Sequence, residues 1–120
     1  MLISFNAYSE WFYVRDDNFG NSNYIENETI RENNGYVYYW SLADYLDPST
    51  TKGMYSSKDY IQGDCAIGRV KQLNFIAYKE HMGKGSQMAS VSTPGEWKYP
   101  APDTMRGYFF NIVCEYIKLE

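Results

Sequence analysis

Alternation of apolar and polar positions divides most of the chain into short predicted strands. Trp11–Val14 and Asn23–Ile25 are brief runs of β-forming residues, and turn-forming residues occupy 16–21 between them. The longest run, Tyr36–Tyr45, follows a tight-turn signal at Asn33-Asn34-Gly35. Because this run carries aromatic residues on both of its alternating faces, we expect it to be a central strand.

The same pattern continues beyond that strand. Three further strands are predicted at Met54–Ile61, Arg69–Tyr78 and Ser86–Val91, with loop residues over 47–53 and a Gly-containing turn at Met82–Gly85. Regular short strands separated by turns are typical of an antiparallel meander. In the central strand, one face is expected to present Tyr36, Tyr38, Trp40 and Leu42, and the other Val37, Tyr39, Ser41 and Ala43.

Near the C-terminus the apolar positions change from alternation to a helical repeat. Thr104–Lys118 contains no proline and follows Asp103, a residue suited to an N-cap. Its polar residues occupy one narrow helical arc, and the remaining arc is apolar and wide. The prediction is an α+β fold in which about six antiparallel strands form a sheet and a C-terminal helix packs on its concave face. The polar residues of the narrow arc are Asn111, Glu115 and Lys118.

Composition narrows the classes of function. The chain has 120 residues, a net charge of −4 and 13 Tyr. An acidic chain without a basic patch is a poor nucleic-acid binder, because phosphate contacts supply most of that affinity. The chain also has no Lys/Arg cluster for an anionic membrane surface, and no apolar run of roughly 18 residues for a membrane span.

The first nine residues have two interpretations. Leu2–Phe5 resembles the end of a signal-peptide apolar region, and Ala7-Tyr8-Ser9 resembles a cleavage site before Glu10. Alternatively, these residues form a strand that leads into Trp11. On the first interpretation, which we adopt, residues 1–9 are a signal-peptide remnant, residues 10–120 form one domain, and the protein is exported.

The two cysteines, Cys65 and Cys114, do not have the spacing of a zinc site or of a dithiol redox centre. They are either two buried thiols or one disulfide. A disulfide would close a loop of about 50 residues and stabilise the fold by about 4 kcal/mol. Such a bond persists in an oxidising compartment, in agreement with export. Cys114 lies near the edge of the apolar arc, within reach of a strand end at Cys65.

Candidate catalytic and metal-binding residues are few. His81 is the only histidine, and a Ser–His–Asp triad depends on geometry, but no nucleophile motif surrounds any serine. We therefore expect a solvent-exposed turn histidine. Asp16–Asn21 resembles a calcium loop, yet its bidentate Glu is replaced by Asn27. A turn closed by Asx side chains is the better interpretation, and no metal or cofactor is predicted.

A candidate binding surface lies near the predicted turns. Lys79, Lys84 and Lys98 accompany Trp97, and such cationic and indole side chains are common at binding hot spots. The alternative is that Trp97 covers the core beneath the proline-rich segment, and this alternative is favoured.

Several features follow one another between Trp11 and Cys114: Tyr24-Ile25 with Ile30, Trp40–Tyr45, Tyr55–Lys58 leading to Asp64-Cys65, Met82–Gly85, Trp97, and Val113-Cys114. In this order and spacing the chain resembles the surface-adhesin protein E family of exported bacterial proteins. The resemblance implies an antiparallel sheet with a C-terminal helix tethered by a disulfide, and export through a signal peptide. For the family's namesake, it implies adhesion to host proteins. The chain departs from the family at Glu26-Asn27, where Asp-Pro is usual.

These observations favour a non-enzymatic binding module that presents a Tyr-rich sheet and turns to a protein partner. The partner is either a host extracellular protein or a bacterial envelope protein, and the location is the periplasm or the cell surface. The alternative is a periplasmic structural, accessory or envelope-stress protein with a bacterial partner. A hydrolase that uses His81 ranks third, and either a monomer or a dimer fits the sequence.

Overall fold

The computed structural model describes residues 11–118, so the predicted signal-peptide remnant at Met1–Ser9 lies outside the described residues. The fold is α+β, as predicted: an antiparallel sheet carries one C-terminal helix. The strands are β1 Trp11–Asp16, β2 Ser22–Glu26, β3 Arg31–Asn33, β4 Tyr36–Asp44, β5 Ser56–Asp64, β6 Arg69–Tyr78 and β7 Gln87–Val91, and the helix is α1 Met105–Lys118. Short 3-10 helices occupy Asn27–Thr29, Pro48–Thr51 and His81–Gly83.

The sheet has the strand order β1-β2-β4-β5-β6-β7, and β3 pairs with β4 outside this path. The central position predicted for β4 is confirmed, because β4 pairs with β2, β3 and β5. The sheet has one strand more than the six that the sequence predicts. The additional strand is β3, whose three residues are exposed and polar and show no apolar alternation. The predicted turn after it is confirmed: Asn34 and Gly35 adopt positive φ angles of 54° and 85°.

The core lies between one face of the sheet and α1. Val37 and Tyr39 of β4 are 2% and 1% exposed, and they belong to the same buried cluster as Phe109 and Val113 of α1. Tyr36, Tyr38 and Trp40, which alternate with these residues along β4, therefore lie on the face of the sheet away from α1, as the sequence predicts. The other buried members of the cluster are Ile25, Ile61 and Val70.

The start of α1 corrects one prediction. The helix begins at Met105, and its N-cap is Thr104 rather than Asp103: Thr104 Oγ1 accepts a hydrogen bond from the Gly107 N–H at 3.1 Å. Gly107, in the first turn of the helix, lies against the proline-flanked segment that precedes the helix. A Cβ on Gly107 would lie 2.1 Å from the carbonyl oxygen of Ala101, so the proline-flanked segment, not the sheet, requires glycine here.

The disulfide between Cys65 and Cys114 is confirmed. Its Cα atoms are 5.9 Å apart, and the two residues are separated by 49 positions. Cys65 directly follows β5, and Cys114 lies in the second half of α1. The bond therefore joins the helix covalently to the end of a central strand.

Candidate functional site

The face of the sheet opposite α1 carries a row of half-buried aromatic rings. Trp40 and Tyr60 face each other across β4 and β5 with ring centroids 4.7 Å apart, and Tyr38 stacks on Tyr60 at 6.2 Å. Tyr36 continues the row towards Trp97, whose ring centroid is 5.7 Å away. Offset and tilted rings at these distances attract one another, and all of these rings remain partly exposed.

Three cations lie over these rings. The guanidinium carbon of Arg31 is 5.0 Å from the centre of the Tyr38 ring, and an Arg31 nitrogen donates to the Tyr60 hydroxyl at 3.0 Å. Arg69 and Lys71 lie over Trp97, at 4.1 Å and 4.6 Å from the ring centre. Both distances are within the range of cation–π attraction. We call this surface the aromatic face: the rings of Tyr36, Tyr38, Trp40, Tyr60 and Trp97, with Arg31, Arg69 and Lys71.

A carboxylate orients one of these cations. Asp64 is 6% exposed, and its Oδ2 accepts a hydrogen bond from Arg69 Nε at 3.1 Å. Burial lowers the pKa of Arg69, but the hydrogen bond and the charge of Asp64 raise it above the ordinary value. The guanidinium is thus held charged and fixed against Trp97.

A β-bulge decides which cations reach the aromatic face. Tyr60 pairs with Asn74, but Ile61 pairs with Gln72, so Leu73 is the extra residue of β6. With strict alternation, Arg69 and Lys71 would share the helix side with Phe75. The bulge turns both to the other side of the sheet, where they meet Trp97.

The four binding residues predicted from sequence do not lie together. Trp97 is part of the aromatic face, and Lys98 is paired with Val70 near the start of β6 by two main-chain hydrogen bonds of 2.8 Å. Lys79 follows the last residue of β6, about 30 Å along the strand from Val70. Lys84 lies near Lys79, at an open cavity beside the His81 turn. Trp97 is not among the core residues that pack against α1.

Sequence reasoning identified the rings of β4 but missed Tyr60 and the three cations. Their places depend on the pairing of β5 with β4, on the β3–β4 hairpin and on the bulge. Only the turn at Asn34-Gly35, which predicts a hairpin, was a sequence signal that could have brought Arg31 next to Tyr38.

The predicted turn histidine is confirmed, with one added contact. The side chain of His81 is 53% exposed, and its Nδ1 lies 3.1 Å from Asp44 Oδ1, which also accepts the Met82 N–H at 2.8 Å. The nearby Ser56 is fully buried, and its hydroxyl donates to the Glu80 carbonyl and accepts from the Gly83 N–H. Within residues 11–118, no serine hydroxyl is hydrogen-bonded to His81.

Within the described part of the chain, no group of three or more His, Cys, Asp or Glu side chains is placed to hold a metal ion. None of the helices formed by residues 11–118 has both the length and the apolar character needed to cross a membrane.

Comparison with known proteins gives a family match and a shared fold. The family model described as surface-adhesin protein E matches residues 11–115. A crystal form of protein E from Haemophilus influenzae aligns with a TM-score of 0.68 and 21% identity, covering 95% of each chain. Its selenomethionine form aligns with a TM-score of 0.65 and 24% identity, covering 86% of this chain and 85% of the other. No curated protein sequence matches the chain.

Proposed function

This chain belongs to the surface-adhesin protein E family, and from that membership we propose that it is a non-enzymatic binding protein that presents its aromatic face to a protein partner. The observation that carries the proposal is the row of rings from Trp40 to Trp97, with three cations held over them. Aromatic and arginine side chains dominate binding hot spots because they bury large areas at a small entropic cost.

Charge supports a partner with acidic side chains. The chain as a whole has a net charge of −4, yet the aromatic face carries Arg31, Arg69 and Lys71. Only Arg69 has a carboxylate partner among the described residues. The two other cations are available to carboxylates of a partner, so affinity is expected to fall as salt screens them.

The proposal includes the location. Membership in a family of surface adhesins supports an exported protein at the cell surface or in the periplasm, and the disulfide fits an oxidising compartment. The residues 1–9 then belong to the export signal.

The test is a binding measurement on the folded, oxidised protein against immobilised extracellular-matrix proteins and, in parallel, bacterial envelope proteins. Trp97→Ala and Arg31→Ala should each weaken binding, the tryptophan variant by roughly 30-fold if Trp97 is a hot spot. Phe19→Ala is the matched control, because Phe19 is 83% exposed in the turn between β1 and β2, two strands that carry none of the aromatic-face residues.

Each outcome decides something. Binding to matrix proteins that the aromatic-face variants weaken supports an adhesin. Binding only to envelope proteins supports the alternative, an accessory protein with a bacterial partner. If no protein binds above background, or if Phe19→Ala weakens binding as much as Trp97→Ala does, the proposed role of the aromatic face is wrong.

A further inference from the structure

A small polar cavity of about 170 Å³ lies between the first turns of α1 and the sheet, on the side opposite the aromatic face. Five of the residues that line it are polar: Asn23, Tyr39, Ser41, Asp59 and Arg106. A cavity at this position would be expected to have apolar walls, since the residues around it form the core. Its polar lining is the first sign of a ligand.

The second sign is an unpartnered hydroxyl. Tyr39 is 1% exposed, and its buried hydroxyl forms no hydrogen bond with any of residues 11–118. Buried polar atoms are almost always hydrogen-bonded, so an orphan of this kind needs an explanation. A bound molecule in the cavity that the ring lines would supply the missing partner.

The third sign is a pair of opposite charges that do not meet. Asp59 and Arg106 line the same cavity, and the charge of Arg106 acts on both Asp59 and Tyr39, yet the two side chains form no ion pair. Asp59 accepts one hydrogen bond, from the Gln72 amide. Burial raises the pKa of Asp59, and Gln72 and Arg106 only partly oppose this effect. Neither group therefore has a charged partner among residues 11–118.

We propose that this cavity binds a small zwitterion of the size of a free amino acid with a short side chain. The ligand's carboxylate pairs with Arg106 and its ammonium group with Asp59, while the hydroxyls of Tyr39 and Ser41 complete its hydrogen bonds. The cavity holds the volume of about five or six waters, on the scale of such a molecule. A simple anion bound to Arg106 would leave Asp59 without a counter-ion. A simple cation bound to Asp59 would leave Arg106 without one.

A second cleft adjoins this cavity at Arg106. Arg106 lines a second, larger cleft of about 750 Å³, together with Gln72, Trp97 and Lys98. The side-chain amide of Gln72 also donates the hydrogen bond to Asp59. Arg106 therefore lines both the outer cleft and the inner cavity, and Gln72 links the outer cleft to Asp59, so the proposal assigns the ligand's entry to this side.

The test is isothermal titration of the oxidised protein with three probes: L-serine, acetate and ethylamine. L-serine should bind saturably, and each single-charge probe should bind at least about tenfold more weakly, because each leaves one charged group unpaired. If acetate binds as tightly as L-serine, the cavity is an anion site and the proposal is wrong. If none of the three binds, the cavity holds only water and the proposal is equally wrong.

Two nearly isosteric variants place the binding in this cavity. Asp59→Asn and Tyr39→Phe should each weaken L-serine binding, the first by about tenfold or more. Neither should lower the melting temperature without ligand, because one removes a desolvated carboxylate and the other an unpartnered hydroxyl. Asp47→Asn, an exposed carboxylate in the β4–β5 loop, is the control. Full affinity in both cavity variants would overturn the proposal.

Discussion

At the scale of single residues, one carboxylate organises the turn between β1 and β2. Asp17 Oδ1 accepts the N–H groups of Phe19 at 2.9 Å and Asn21 at 3.0 Å, and its Oδ2 accepts the Asn21 side-chain amide at 3.1 Å. This confirms the sequence interpretation of an Asx turn rather than a calcium loop. Partial burial raises the pKa of Asp17, but these hydrogen bonds outweigh it and lower the pKa below 3.8.

We therefore predict that Asp17→Ala destabilises the protein by about 1 kcal/mol at pH 7, the usual effect of losing a side-chain cap. Because the folded-state pKa lies below the unfolded value, this contribution is fully present above about pH 4. It is lost as the pH falls through the folded-state pKa. Denaturant unfolding of both proteins at pH 7 and at pH 2.5 measures the difference, with Asn18→Ala as control. A difference that is as large at pH 2.5 would contradict the account.

At the scale of elements, the sequence predicts those strand bounds and strand faces that depend only on local periodicity. Arg69–Tyr78 was predicted with the bounds that β6 has, and the faces of β4 follow simple alternation. β5 begins at Ser56 rather than Met54, because the Met54 N–H closes the preceding loop on Thr51. The bulge at Leu73 could not be predicted, because it depends on the pairing with Tyr60 and Ile61 of β5.

The beginning of α1 allows a direct comparison of two neighbouring residues. We predict that Thr104→Ala destabilises the protein by about 1 kcal/mol, because it removes the hydroxyl that accepts the Gly107 N–H. Asp103→Ala, the change that the sequence alone marks as damaging, should alter stability by less than about 0.5 kcal/mol. Chemical denaturation of both variants tests this. A larger effect at Asp103 than at Thr104 would restore the sequence-based assignment of the cap.

At the scale of the whole molecule, the sequence predicted the fold class and the disulfide, but not the two cavities that Arg106 lines. Along the sequence, Arg106 is a single charged residue in the first turn of a predicted helix, and nothing beside it indicates a cavity. Its neighbours Tyr39 and Asp59 come from different strands, so their meeting beneath the helix depends on tertiary packing. The spacing of these residues along the chain therefore does not predict that they line one cavity.

Export is the prediction that concerns the whole chain. Produced in a bacterium from its complete native reading frame, the mature protein should begin at Glu10. After thiol alkylation without a reducing agent, its intact mass should show no alkylated cysteine, since Cys65 and Cys114 are paired. An unprocessed chain with two alkylated thiols would instead mean a reduced cytoplasmic protein, and the proposed location would be wrong.

The link between Cys65 and Cys114 also has a mechanical consequence. When the chain is pulled from both ends, tension passes from β5 through the sulfur atoms directly into the second half of α1. The chain between the two cysteines, which holds β6, β7 and the first half of the helix, carries none of this load. The disulfide thus keeps roughly 170 Å of chain from being extended. The loop also contains Trp97, Arg69, Lys71 and Arg106, so these four side chains stay on an unloaded part of the chain. Arg31, Tyr38 and Trp40 of the aromatic face precede Cys65 and lie on the loaded part.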